Sequence, residues 1–184
     1  MKKTKWKLFF DYEKEETWLN EMSAKGLAFT GYFPFRYSFA ECKPGEYVYR
    51  IELLDKSPSN PESEQYLKFM EEGGAEQVST WYRWVYFRKR SDGGKFEIYN
   101  DIDSKLTHYK RVYGLFLALV LIEILMVIIQ LGVIAYDYTS GEPLSSISFF
   151  VIGFCLGFGI VCVFLWNMYR KKIKNLKQAK KVWE

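Results

Sequence analysis

Two long apolar runs divide the chain into a polar first part and a second part of membrane type. Residues 115–135 are apolar except for Glu123 and Gln130, and residues 147–166 carry no charged side chain. Each run has about 20 residues, the length that crosses a hydrocarbon layer of about 30 Å at a helical rise of about 1.5 Å per residue. Both runs are apolar on every side, which favours membrane spans over buried amphipathic helices. We therefore predict transmembrane helices over 113–136 and 147–169, joined by an external loop over 137–146.

Basic side chains indicate the orientation of this hairpin. They occur in a juxtamembrane connector over 101–112 and in a tail over 170–184, whereas the predicted loop contains no Lys or Arg. Because basic residues are retained on the cytoplasmic side, we predict a multi-pass protein of the cell membrane with both termini in the cytoplasm. The tail provides candidates for contact with anionic membrane lipid, or it is a topology signal only. These basic residues are Arg170, Lys171, Lys172 and Lys174.

Polar and small residues inside the spans indicate helix contacts. Glu123 lies near the middle of the first span, and Gln130 follows seven residues later on the same helix face. A carboxyl at that depth is costly unless it is protonated or partnered, so Glu123 is either a proton-linked functional site or a hydrogen-bonded contact, including one across a homo-oligomer. Gly153 and Gly157 form a small-xxx-small pair that permits close packing within the hairpin or between copies.

The first hundred residues have the pattern of a folded α+β domain. Extended segments are predicted at 5–10, 27–39 with an interruption at Pro34, 47–54 and 78–90. One helix begins after Asp11 as N-cap and ends at Gly26, and another begins after Asn60 with Pro61 in its first turn. This order, βαββαβ, predicts a ferredoxin-like cytoplasmic domain over 1–100 with two helices on one face of an antiparallel sheet.

The last predicted strand has aromatic residues on both sides, so one aromatic set is expected on the open face of the sheet. Tyr82, Trp84 and Tyr86 alternate with Trp81, Val85 and Phe87. An exposed aromatic face can bind a partner protein, an apolar ligand or stacked bases. Residues 1–100 contain 16 basic and 16 acidic side chains and no RNA-recognition signature, which argues against nucleic acid. We predict that Tyr82, Trp84 and Tyr86 form a surface for self-association or for a protein partner.

No combination of residues indicates catalysis, a metal or a cofactor. His108 is the only histidine and lies beside the first span, so neither a Ser-His-Asp set nor a His-rich metal site is expected in the domain. The three cysteines form no C-x-x-C pair, and Cys42 is interpreted as a structural thiol. The acidic segments 13–16 and 62–72 are interpreted as solvated helix faces. We therefore expect a protein that is not an enzyme and carries no cofactor.

Four segments resemble the DUF2812 family, whose domain has no known function. They are EKEETWLNEMSAKGL, EYVYRIELL, YLKFMEEGG and WVYFRK, and they are followed by the two spans. The resemblance implies a small cytoplasmic domain in a bacterial membrane protein, and a gene that often lies beside a PadR-like transcriptional regulator. It implies no activity. Leu27 and Ala75 stand where the family usually has Trp after Gly.

Two hypotheses about function follow. The first is a membrane-anchored cytoplasmic sensory and interaction module that controls a neighbouring PadR-like regulator. The alternative is a homo-oligomeric transport or resistance accessory protein that uses Glu123, since two spans cannot enclose a path alone. Replacing Glu123 by Gln separates them, because only the second predicts loss of a pH-dependent phenotype.

Overall fold

A computed structural model describes residues 3–99, 101–141 and 146–183, with side chains up to residue 181. The chain forms two compact units, Met1–Asn100 and Asp101–Glu184, which are described separately below.

The first unit contains six strands and two helices. In chain order they are β1 (Lys3–Trp6), α1 (Tyr12–Ala24), β2 (Leu27–Phe33), β3 (Arg36–Glu41), β4 (Tyr47–Leu53), α2 (Pro61–Glu72), β5 (Glu76–Trp81) and β6 (Trp84–Arg90), followed by a 3-10 turn at Ser91–Gly93.

Both predicted helix starts are confirmed. The Asp11 carboxylate accepts the backbone N–H of Glu13 at 3.1 Å, and the Asn60 side chain accepts that of Glu62 at 3.1 Å, so each cap satisfies a donor of the first turn. Gly26 follows α1 with φ +75°, and a Cβ there would lie 3.1 Å from the carbonyl oxygen of Cys42. The chain therefore requires glycine at this position in order to leave the helix and enter β2.

The strands form two antiparallel three-stranded sheets with the same topology. The orders are β1-β3-β2 and β4-β6-β5, so each half of the unit is a strand, a helix and a hairpin arranged alike. A register shift interrupts the pairing at the corresponding place in each half, between Phe29 and Gly31 and between Gln77 and Ser79. The two sheets meet where β2 lies beside β5. We call this boundary the seam.

The α+β class is confirmed, but the ferredoxin-like topology is not. The segment 78–90, predicted as one strand, is a hairpin whose turn lies at Tyr82 and Arg83, and Tyr82 has φ 56°. The segment 27–39 is likewise a hairpin, with its turn at Pro34 and Phe35. Each turn reverses the chain and pairs its two arms, which produces six strands in two sheets where the sequence pattern predicts four in one.

The two helices cover opposite faces of the second sheet. On one side, α1 approaches β4, and the Asn20 amide bonds the backbone of Tyr49 in both directions at 2.7 and 3.2 Å. On the other side, α2 supplies Tyr66, Leu67 and Met70 to a core with Leu54, Ala75, Val85, Phe87 and Phe96. Neighbouring residues of a strand point to opposite faces, so this sheet has no open aromatic face. The prediction of two helices on one face is wrong for this reason.

The second unit consists of two long helices, α3 (Ile102–Ser140) and α4 (Ser146–Trp183). α3 begins inside the predicted connector 101–112 and continues into the predicted loop 137–146, of which residues 142–145 lie outside the described residues. Both helices are long and apolar enough to cross a membrane. Within the most apolar stretch of each helix, only 6% of α3 and 17% of α4 is buried. Most of their apolar side chains are therefore exposed.

The two helices contact each other through side chains spaced seven residues apart, the repeat of coiled-coil packing. On α4 the buried residues Ser148, Cys155, Cys162 and Tyr169 follow this spacing, and Leu165 is buried between the last two. The ring of Tyr169 contacts the rings of Tyr109 and Phe116 of α3 at centroid distances of 6.2 and 5.6 Å. Lys180 pairs with Asp103 at 2.8 Å, which joins the end of α4 to the start of α3.

Candidate functional site

The three aromatic residues predicted as a partner surface do not share an exposed face. Tyr82 is 67% exposed at a hairpin turn, Trp84 is half-buried with its ring 5.7 Å from that of Tyr12, and Tyr86 is only 3% exposed. Because α1 covers this side of β6, Tyr86 belongs to the interior. The prediction of one open surface is therefore wrong in geometry, and Tyr82 alone of the three presents its ring to solvent.

Tyr86 instead takes part in a buried polar cluster centred on Glu15. The Oη atoms of Tyr86 and Tyr37 donate hydrogen bonds to the same carboxylate oxygen, Oε1 of Glu15, at 2.7 and 2.8 Å. Glu15 lies in the first turns of α1, Tyr37 lies in β3 of the first sheet and Tyr86 lies in β6 of the second. One carboxylate therefore joins a helix to both sheets.

Burial controls the electrostatics of this cluster. It raises the pKa of Glu15 above its ordinary value, and the hydrogen bonds from Tyr86 and Tyr37 only partly offset that rise. Burial and the Glu15 charge raise the pKa of both tyrosines far above neutrality, so their hydroxyls remain protonated donors. Among the described residues, no Lys or Arg pairs with Glu15. Its charged form is therefore supported by two neutral hydroxyls.

Tyr32 places the cluster beside the seam. Its ring stacks on Tyr86 at 5.2 Å with an interplanar angle of 27° and lies 5.0 Å from the ring of Tyr37. The backbone N–H of Tyr32 donates to Oγ of Ser79 in β5 at 3.1 Å. β2 and β5 belong to separate hydrogen-bonded sheets, so this seam is joined by side chains and not by a backbone ladder.

In the second unit, Glu123 faces α4. It lines a groove of about 460 Å³ between the helices together with Cys155 and Gly159, and the rest of the lining is aliphatic. Its Oε2 atom is buried and has no hydrogen-bond partner among the described residues. Gln130, one heptad later on α3, is half-exposed. An incompletely bonded carboxyl in an apolar groove is a costly polar position.

The glycine pair does not pack within the hairpin. Gly153 and Gly157 are exposed on α4, and a Cβ added to either would meet no atom within 4 Å. The face of α4 that contacts α3 carries Cys155 and Cys162. Cys155 lies between the two glycines in sequence, and Cys162 lies after them. Packing of this pair against α3 is therefore excluded, and a contact with another copy stays a prediction.

The basic tail continues α4 as helix beyond the apolar run. The guanidinium of Arg170 lies 5.8 Å from the Trp166 ring centroid, and the Lys172 ammonium lies 5.2 Å from that of Tyr169. Lys171 and Lys174 belong to the same turns, and Lys171 is exposed. Two of the four predicted lipid-binding cations are thus close to aromatic rings at the end of the apolar run, an arrangement typical of the headgroup layer.

The family model described as a protein of unknown function (DUF2812) matches residues 11–121, more than half of the chain. The chain belongs to the DUF2812 family. Searches of curated proteins and of solved structures returned no match. The matched range contains Glu15, Tyr37 and Tyr86, so the whole polar cluster lies within the part of this DUF2812 chain that defines the family.

The described part of the DUF2812 chain contains no group of three or more His, Cys, Asp or Glu side chains placed to hold a metal ion. Cys42 is half-buried, and burial together with the nearby Glu46 charge raises the pKa of its thiol, which disfavours the reactive thiolate. His108 is buried in α3. What the cluster offers chemically is a buried carboxylate that can take up a proton.

Sequence reasoning missed Glu15 because it assigned the acidic segment 13–16 to a solvated face. That assignment is wrong for Glu15, which is 9% exposed. A usable signal was present in the helical spacing. Glu15 precedes Trp18 and Leu19 by three and four residues, so it lies on the buried stripe of α1 and not opposite it.

Proposed function

We propose that this chain is a membrane-anchored cytoplasmic sensory and interaction module. In this proposal α3 and α4 cross the membrane as a two-span hairpin with both termini in the cytoplasm, and the N-terminal unit carries the recognition. The sequence from 137 to 146 contains no Lys or Arg, whereas seven basic residues follow Trp166. This asymmetry supports that orientation.

The sensory part of the proposal rests on the position of Glu15 at the seam. Its carboxylate joins α1 to both sheets through Tyr37 and Tyr86, and no backbone ladder joins the sheets at β2 and β5. A change in the charge of Glu15 alters the bonds to both sheets at once. Such a group provides a local electrostatic switch between two arrangements of the two halves.

The partner in this proposal is a PadR-like transcriptional regulator encoded beside the gene. Anchoring the N-terminal unit at the membrane would raise its effective concentration for a regulator held there by a second contact. The regulator would then respond to the state of the Glu15 cluster, which is the sense in which the module is sensory.

The test is direct binding of the purified regulator to the full-length chain in lipid nanodiscs, measured across a pH series. The proposal expects a saturable complex whose affinity depends on pH in the unaltered chain. The Glu15→Gln chain is expected to bind without that pH dependence. Glu21→Gln, an exposed change of the same kind on the same helix, is expected to retain it.

Absence of a saturable complex contradicts the interaction part of the proposal. A Glu15→Gln chain that binds with the same pH profile as the unaltered chain contradicts the sensory part, because the cluster then plays no role in recognition.

A second function is favoured by Glu123. Its buried Oε2 has no partner in the described part of the chain, which supports the alternative of a homo-oligomeric transport or resistance accessory protein. Under this alternative, Glu123→Gln abolishes a pH-dependent phenotype while the protein stays in the membrane. Gln130→Asn, which keeps a neutral amide on the same face, serves as the matched control and should leave the phenotype unchanged. A phenotype unaffected by Glu123→Gln contradicts the alternative.

A further inference from the structure

Five large aromatic side chains project from one edge of the N-terminal unit. They are 44–71% exposed, although the other aromatic residues of the unit supply most of its core. We name this set the aromatic edge. It consists of Trp6, Phe33, Phe35, Trp81 and Tyr82.

The aromatic edge is continuous. Trp6 and Phe33 both pair with Arg36 of β3, one from each side, so these three side chains lie next to one another on the same face of the first sheet. The carbonyl oxygen of Phe35 accepts the backbone N–H of Lys7 at 2.9 Å. On the second sheet, the Trp81 ring lies 6.0 Å from that of Tyr32 near the end of β2, so the ends of the two hairpins lie side by side. The edge therefore extends across both hairpin turns.

Backbone conformation gives independent support for a role of these side chains. Phe35 has φ 66° and Tyr82 has φ 56°, and they are the two non-glycine residues with positive φ among the described residues. Bulky side chains are disfavoured there, whereas glycine or asparagine is easily accommodated at a turn. Both turns thus hold an exposed aromatic ring in a conformation that local energetics oppose, a pattern found at recognition sites.

The charges around the edge have one sign. Segments 3–10, 27–40 and 77–84, which build it, contain five basic residues and no Asp or Glu. The Arg36 guanidinium lies 5.8 Å from the Phe33 ring, and Lys5 and Lys7 flank Trp6 in the chain. Three acidic residues border these segments in sequence: Asp11 is buried as the cap of α1, Glu41 pairs with Lys3 at 3.6 Å, and Glu76 pairs with Arg88 at 2.7 Å. The composition of this edge therefore favours a partner that accepts aromatic rings and bears negative charge.

We propose that the aromatic edge is a lipid-docking surface that enters the headgroup layer of an anionic bilayer. Trp, Tyr and Phe beside Lys and Arg are the residues that favour this layer, the rings for its apolar side and the cations for its phosphates. The same chain carries two helices able to cross a membrane. Insertion of these helices would present lipid to the aromatic edge at high effective concentration.

The test uses the full-length chain in nanodiscs of phosphatidylcholine, with or without phosphatidylglycerol, containing lipid with a nitroxide on the headgroup. A fluorophore is attached at Phe33→Cys on the edge or at Phe69→Cys, a control on α2 that is 68% exposed. The chain without an added cysteine, treated in parallel, gives the contribution of the native thiols. Circular dichroism of each labelled chain verifies that it is folded.

We expect the probe at position 33 to be quenched several-fold more than the probe at 69 when phosphatidylglycerol is present, and the difference to shrink with added salt. Arg36→Glu should reduce the quenching at 33, whereas Lys68→Glu on α2 should leave it unchanged. Equal quenching at 33 and 69, or equal quenching in the two lipids, overturns the proposal. A probe at 33 that loses water exposure only when a partner protein is added assigns the edge to that protein and also overturns it.

Discussion

Tyr86 in the second sheet donates its hydroxyl to Oε1 of Glu15 at 2.7 Å, at the position where the sequence pattern places Tyr86 on an open surface. This hydrogen bond belongs to the junction of α1 with both sheets. It also identifies a carboxyl whose pKa is raised by burial on folding, and predictions about stability follow from it.

The stability of the N-terminal unit should depend on the ionisation of Glu15. Folding raises the Glu15 pKa above its ordinary value of 4.5, so the folded state binds the proton more tightly than the unfolded state. The contribution of Glu15 is then fully present below pH 4.5 and is lost as pH rises through the folded-state pKa. The unfolding free energy of Glu15→Gln minus that of the unaltered chain should therefore increase over that range. Hydrogen exchange of the unit in the full-length protein measures it. A pH-independent difference contradicts this account.

Removing either tyrosine hydroxyl should weaken the junction. Tyr86→Phe and Tyr37→Phe each remove one hydrogen bond to the Glu15 carboxylate, and a hydrogen bond to a charged group contributes about 1.5–3 kcal/mol. Because both hydroxyls bond the same oxygen, the double variant should deviate from additivity. Tyr82→Phe, at an exposed position, should change stability by less than about 0.5 kcal/mol. Denaturant unfolding of the three variants and the double variant measures these values.

Gly26→Ala should destabilise the N-terminal unit by about 1–2 kcal/mol. The position has φ +75°, and the new Cβ would lie 3.1 Å from the Cys42 carbonyl oxygen, so both backbone conformation and space oppose it. Gly31→Ala is the matched control, since a Cβ there meets nothing within 4 Å. Equal midpoints of thermal unfolding for the two variants would show that Gly26 is not constrained as described.

The core under α2 should be sensitive to the loss of Phe87. This side chain is 0% exposed between β6 and α2, and its replacement by Ala should cost about 3–5 kcal/mol. Phe69→Ala removes the same atoms from a side chain that is 68% exposed and should change stability by about 0.5 kcal/mol or less. Comparable losses for the two variants in chemical denaturation would contradict the placement of Phe87 in the core.

Local signals predicted the helices well. Asp11, Asn60 and Gly26 act within one or two turns of the backbone, so cap chemistry and a left-handed glycine suffice to predict where α1 and α2 begin and where α1 ends. The apolar runs were equally local, and two long helices are found there.

Tertiary features were harder to predict. Tyr82 and Phe35 are residue types that rarely adopt the positive φ of these turns, so no local sequence signal marks their hairpins. The alternation of side chains continues through Tyr82, which predicts one strand in place of two. Once the turn was missed, the faces of the sheet could not be assigned. The Glu15 cluster joins residues 22 and 71 positions apart, a separation at which single-sequence patterns carry little information, although the position of Glu15 on the stripe of Trp18 was readable.

Membrane topology is the basis of the proposed function, and thiol labelling on intact cells tests it most directly. Two variants are compared with a membrane-impermeant reagent: Ser140→Cys in the predicted external loop, and Phe69→Cys at an exposed position of the N-terminal unit. The account predicts labelling of Ser140→Cys on intact cells and labelling of Phe69→Cys only after the cells are permeabilised. Labelling of Phe69→Cys on intact cells, with Ser140→Cys protected, would contradict a cytoplasmic N-terminal unit and with it the control of a transcriptional regulator.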